Sequence, residues 1–194
     1  DCPQRDERFA WLNDMTVRCE EALFNYDMLL FYEKWLADIA DAQDEVTGAI
    51  PDCAPGYFCG PEAGHISSVY VLLPWLLYCF YGDLQPLRRH YEGMKRYVAW
   101  KLAQRGADGL LDGRFFGDWA APMTDCTLGW GQNAVPNNID RRLVSTGYLK
   151  YDLDLMARCA RALGREGEAA AFEADSALAA EALNRAFFDA ELGQ

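Results

Sequence analysis

The amino-acid sequence predicts an all-α fold, and three observations carry that expectation. Apolar residues recur at three- and four-residue spacing along most of the chain. No strand-like alternation of useful length occurs. The helical stretches come as pairs, one nearly all apolar and the next amphipathic, as a double-layered α/α barrel with an inner and an outer ring requires. An α-solenoid uses similar pairs, but it also needs a fixed period and a shared repeat signature, and the chain has neither.

The elements follow in order. Asp14 to about Tyr26 and Asp27 to about Asp44 read as one long helix or two consecutive ones, the second with Leu29, Leu30, Trp35, Leu36 and Ile39 on its apolar face. A loop rich in Gly and Pro follows, from Gly48 to Gly64. The Ser67–Ser68 pair is placed to cap the apolar helix Val69 to Tyr81, and Gly82 to stop it. That run contains Pro74 and is too short for the ~20 residues a bilayer span needs, so it reads as a buried helix. A helix from about Gln85 to Gln104 buries Leu87, Tyr91, Met94, Val98 and Leu102. Residues 105 to 141 are largely irregular, and a loop of that length in a compact domain is usually functional. Val144, Tyr148, Tyr151, Leu155, Met156, Cys159 and Leu163 mark the next helix. An Ala-rich stretch from about Glu166 to Phe188 forms the last.

Composition narrows the function. At 194 residues, 51% hydrophobic and 25% charged, the chain is ordinary globular material. A formal net charge of −12 repels phosphate backbones and anionic lipid, so neither nucleic acid nor membrane is an expected partner. The aromatic content suits recognition of a flat, hydroxylated ligand such as a sugar, although most of the rings are core material. Seven Cys without CxxC spacing argue against a disulfide framework or a zinc site, and two His cannot build a His-rich one. No metal or cofactor is expected, and reduced, mostly buried thiols suggest a cytoplasmic location. His65 and His90 read as loop and helix-surface residues. Glu166, Glu168, Glu173, Asp175 and Glu181 read as a solvated helix face.

The densest polar signal is the opening segment. Asp1, Asp6, Glu7 and Asp14 supply four carboxylates, joined by Arg5, Arg8 and Trp11 just before a helix. Glycosidic cleavage needs a proton donor at the leaving oxygen, a second carboxylate across the ring and groups that hold the ring hydroxyls. An acidic capping segment with local Arg–carboxylate pairs has the same composition.

Asp1-Cys2-Pro3-Gln4-Arg5-Asp6-Glu7-Arg8, followed by Phe9, Trp11 and Asp14, resembles the signature of bacterial α-L-rhamnosidases of glycoside hydrolase family 78. Gly117-Asp118-Trp119 resembles that family's second active-site loop. Pro74-Trp75 with Tyr81-Gly82-Asp83 resembles its inner-helix ending, and Ser145-Thr146-Gly147-Tyr148 fits the helix that follows. The likeness runs over essentially all 194 residues.

The resemblance implies a six-hairpin (α/α)6 barrel that hydrolyses terminal α-L-rhamnose with inversion, with a rhamnose-containing glycoside as partner. Glu7 matches the general acid. Asp1, Arg5, Asp6 and Asp14 match residues that hold sugar hydroxyls and tune that acid, while Trp11 and Trp119 match aromatic walls, with Asp118 beside the second. Carboxylates near Glu7 would favour its protonated form, and Arg5 and Arg8 would oppose it. One departure stands out: the family often has Trp-Gly-Asp where this chain has Ile66-Ser67-Ser68, so an aromatic wall and a carboxylate are either missing or supplied elsewhere, with Phe58 and Trp130 as candidates.

The helices reach about half the number a six-hairpin barrel requires. Residues 1–194 therefore read as the acid-bearing half of a catalytic domain, a piece of something longer. The general base would lie outside it, since Glu181 and Glu191 look like surface. Such an open half would expose inner-helix surface such as Val69 to Tyr81 and have no turnover alone. Two other readings remain: a different six-hairpin glycosidase, and a carbohydrate-binding helical module without catalysis.

Overall fold

A computed structural model describes residues 6, 8–56, 60–61, 66–112 and 140–193. The described residues form six α-helices: α1 (Leu12–Asn25), α2 (Leu29–Asp41), α3 (Val69–Tyr81), α4 (Gln85–Leu102), α5 (Arg141–Ala162) and α6 (Glu166–Phe187). A short 3₁₀ turn, Ile66–Ser68, leads into α3. Among the described residues extended pairing is limited to isolated bridges, so the all-α expectation holds.

The opening helical stretch is two helices. Tyr26 turns extended after α1, and the Asp27 carboxylate then accepts from the Leu29 amide and the Tyr81 hydroxyl at the start of α2. On α2 the buried set is Tyr32, Trp35, Leu36 and Ile39. Leu30 is 79% exposed, which corrects its assignment to the core face. Leu29 and Leu30 are about 100° apart on a helix, so a single stripe cannot take both. The buried Tyr32 donates its hydroxyl to the Cys19 carbonyl at 3.3 Å, and Trp35 donates its indole N–H to the Ala54 carbonyl at 2.7 Å.

Helix α3 lies at the centre, packed against α1, α2, α4 and α5. Helices α1, α3 and α5 make one layer; α2, α4 and α6 flank it, with α5 and α6 a hairpin closed at Gly164 (φ 74°). Val69 to Pro74, with Leu76 and Leu77, are buried within this body, while Cys79, Phe80 and Tyr81 are exposed, so the expected baring of Val69 to Tyr81 is found only in the last turn. The second layer covers the earlier turns. At the exposed end Phe24 and Phe80 meet edge-on at 5.0 Å, and Leu30 and Phe31 on α2 are exposed as well. Gly82 ends α3 in the left-handed region (φ 69°), its N–H on the Tyr78 carbonyl.

Helix α4 buries Leu87, Tyr91, Met94 and Val98 as expected, while Leu102 is only half-buried. His90 is also buried, 3.5 Å from the Tyr70 hydroxyl, which corrects its reading as a surface residue. On α5, Tyr151 is exposed although Leu155, Met156 and Cys159 are buried. The acidic face of α6 is paired as well as solvated: Glu168 reaches Lys95 at 2.6 Å, Glu173 reaches Arg161 at 2.6 Å, and Asp175 lies 3.4 Å from Arg105. Such exposed pairs contribute little individually. Of the described thiols, Cys19, Cys53 and Cys159 are buried and Cys79 is exposed. No helix among the described residues is long and apolar enough to cross a membrane.

Candidate active site

In sequence the opening motif leads directly to α1, and the described residues just ahead of that helix are held by backbone. Trp11 precedes the first residue of α1 and pairs with Cys53 in an antiparallel bridge. The Leu12 N–H donates to the Asp52 carbonyl at 2.9 Å, and the Ala54 N–H donates to the Ala10 carbonyl at 3.0 Å. The first of these satisfies an orphan donor that a side-chain cap would otherwise take. Arg8 has φ 55°, a left-handed conformation that β-carbon crowding disfavours, so the chain turns sharply just before this clamp.

Of the residues matched to sugar chemistry, three are described. Asp6 is exposed, Trp11 is half-buried with its ring edge-on to Phe9 at 6.3 Å, and Asp14 is half-buried in the first turn of α1. A carboxylate there also complements the positive end of the helix dipole. Asp1, Arg5, Glu7, Asp118 and Trp119 lie outside the described residues, as do Phe58, His65 and Trp130. The structure thus brings Trp11 and Asp14 to one helix start.

The Ile66-Ser67-Ser68 segment is buried, and none of its hydroxyls caps α3 as the sequence suggests. Tertiary partners take them instead. The Ser67 hydroxyl donates to the Pro51 carbonyl at 3.1 Å, and Ser68 donates to Asp152 Oδ2 at 3.0 Å. The Ile66 carbonyl accepts from the Thr16 hydroxyl of α1 at 3.0 Å. The starts of α1 and α3 and the middle of α5 are therefore joined through this turn. Close by in sequence on α5, the Thr146 hydroxyl accepts from the Leu111 N–H at 2.9 Å, fixing the chain just ahead of the segment that carries Asp118 and Trp119.

Sequence reasoning missed the Lys101–Asp152 pair, 2.7 Å apart with both side chains fully buried. Burial pushes the Asp152 carboxyl above the ordinary range, against the pull of Lys101 and the Ser68 hydroxyl. A signal existed: Lys101 continues the apolar stripe Leu87, Tyr91, Met94, Val98, and Asp152 interrupts that of Leu149, Leu153 and Met156. A groove of about 590 Å³ lies elsewhere, lined by Asp38, Asp41, Asp44, Thr47, Pro51 and Pro55. Lys34 pairs with Asp38, and Thr47 occupies Asp44. Among the described residues no cluster of His, Cys, Asp or Glu is arranged to hold a metal ion.

Comparison with known proteins follows the same lines. The family model for the bacterial alpha-L-rhamnosidase 6 hairpin glycosidase domain matches residues 1–194. A curated alpha-L-rhamnosidase of Formosa agariphila is 31% identical over 192 residues, covering 97% of this chain and 20% of that protein. The structure of an alpha-L-rhamnosidase from Dictyoglumus thermophilum superposes with a TM-score of 0.87 at 36% identity, over 98% of this chain and 20% of that one. The Streptomyces avermitilis alpha-L-rhamnosidase complexed with L-rhamnose gives 0.80 at 27% identity, over 96% of this chain and 16% of that one. The chain spans between about a sixth and a fifth of the length of these relatives. It belongs to the bacterial α-L-rhamnosidase six-hairpin glycosidase family.

Proposed function

We propose that this chain is the acid-bearing part of a catalytic domain that removes terminal α-L-rhamnose from glycosides with inversion of configuration. Glu7 is the general acid. Asp1, Arg5, Asp6 and Asp14 hold the sugar hydroxyls and tune that acid, Asp118 binds the substrate beside Trp119, and Trp11 and Trp119 wall the pocket. The base that activates water is a carboxylate outside residues 1–194, at the roughly 6.5–9.5 Å separation that an inverting pair requires. The observation that carries this reading is the Asp1–Arg8 motif directly preceding, in sequence, a start of α1 clamped on both sides of Trp11. The relatives' names support the substrate class: they are alpha-L-rhamnosidases, one of them solved with L-rhamnose.

A panel of aryl glycosides tests it on the full-length protein that carries this chain. Hydrolysis of the α-L-rhamnoside, with the β-anomer of rhamnose appearing first by NMR, is the expected result. Preference for an α-glucoside or an unsaturated uronide would assign the chain to another six-hairpin glycosidase. Binding of rhamnose without turnover would make it a carbohydrate-binding module, a reading that Ile66-Ser67-Ser68 in place of Trp-Gly-Asp keeps open and that Glu7 argues against. The isolated 194-residue chain should show no turnover, because the proposed base lies outside it.

A further inference from the structure

A buried ion pair has weak grounds as a stabiliser, because an apolar pair of similar volume avoids the cost of stripping two charges of water. Lys101 and Asp152 are fully buried all the same, and their contacts lead toward the candidate site. Lys101 sits in the last turn of α4, and Asp152 near the middle of α5. Asp152 Oδ2 takes both the Lys101 ammonium at 2.7 Å and the Ser68 hydroxyl at 3.0 Å, so the pair fixes the 3₁₀ turn from one side. Among the described residues the other carboxylate oxygen, Oδ1, accepts no hydrogen bond, which leaves Oδ2 as the point of attachment.

From that turn two routes run to the start of α1. The Ile66 carbonyl accepts from Thr16, whose hydroxyl also bonds the Leu12 carbonyl at 3.1 Å. Ser67 holds the Pro51 carbonyl, and the next two residues clamp α1 through the Asp52 carbonyl on Leu12 and the Cys53 bridge to Trp11. Each residue of the turn thus sends one bond outward: one to α1, one to the strip that clamps α1, one to the ion pair.

We propose that the Lys101–Asp152 pair, acting through Ser68, is a positioning device that sets where the start of α1, with Trp11 and Asp14, stands against the rest of the site. The inference rests on the glycosidase reading above. Charge-assisted bonds are short and directional, whereas apolar contacts let helices slide. Displacements of an ångström in a catalytic constellation cost up to about 100-fold in rate.

Three variants of the full-length protein test this. Ser68→Ala removes only the link, and is expected to lower kcat on an aryl α-L-rhamnoside about tenfold. Lys101→Met/Asp152→Leu replaces the pair by apolar groups; its urea midpoint should match or exceed wild type while kcat falls as in Ser68→Ala. Lys101→Met/Asp152→Asn keeps an oxygen for Ser68 but no charge, and should recover only part of the lost kcat, the remainder being what the charged pair adds; full recovery would take the ion pair out of the positioning role. Two folded double variants with wild-type kcat would overturn the proposal. Amide exchange gives a readout independent of turnover: in Ser68→Ala the Leu12 and Ala54 amides should exchange about tenfold faster, with those of α6 unchanged. Unchanged exchange at Leu12 and Ala54 would also overturn it. A wild-type protein inactive on rhamnosides, with exchange altered as described, would refute the substrate reading and leave the positioning role standing.

Discussion

Trp11 faces Cys53 across an isolated antiparallel bridge, so the backbone holds the indole half-buried at the mouth of α1. Phe9 meets the ring edge-on at 6.3 Å. A large ring fixed at its backbone and partly open to solvent suits stacking against a sugar. Trp11→Ala should raise KM for an aryl α-L-rhamnoside about tenfold, equivalent to ~1.4 kcal/mol, with a smaller change in kcat. Trp11→Phe should fall between. Steady-state kinetics check this, and a KM equal to wild type would remove Trp11 from the sugar pocket.

Gly48 is where the α2–α3 connection docks on α4. Its φ is 81°, and an added β-carbon would stand 2.7 Å from the Arg96 carbonyl oxygen. Around it, the Gln43 amide donates to the Gly48 carbonyl at 2.8 Å and to that of Gly93 at 2.9 Å, and Arg96 donates to Gln43 at 2.8 Å. Gly48→Ala therefore meets both backbone strain and a carbonyl that cannot retreat alone. It should destabilise the protein by about 2–3 kcal/mol, read as a lower urea midpoint at unchanged slope. A midpoint equal to wild type would show that the loop is free to re-dock.

His90 gives the fold a pH dependence. Burial, with Arg89 adding to it, pushes the imidazole down to about 4 from 6.5. The unfolded chain then binds this proton more tightly than the folded one, so stability is lost as pH falls from about 6.5 to about 4, by up to ~3 kcal/mol, and is unaffected by this group above 6.5. The wild-type stability advantage over His90→Gln should shrink across that window in urea titrations. A pH-independent difference would contradict the assignment.

The helices are legible in the sequence because burial follows the 3.6-residue period, as it does at Leu87, Tyr91, Met94 and Val98. Polar members of the same stripes are harder to see. His90 and Lys101 keep that spacing on α4, yet polarity alone points His90 to the surface, and Lys101 is buried only because Asp152 comes to it from another helix. Ser67 and Ser68 have the look of helix caps in sequence, but partners distant along the chain take their hydroxyls. In the candidate site the motif itself is legible as residue types in order. The clamp of residues 52–54 on residues 10–12 is not, since backbone pairing of a Pro-rich loop leaves no periodic trace.

The proposed role of Glu7 as proton donor makes a specific demand on leaving-group dependence. Glu7→Gln in the full-length protein should be assayed on aryl α-L-rhamnosides whose leaving groups differ in acidity. A general acid predicts a loss of about 10²–10⁴-fold with poor leaving groups and a much smaller loss with activated ones. Equal activity of variant and wild type across the series would contradict it.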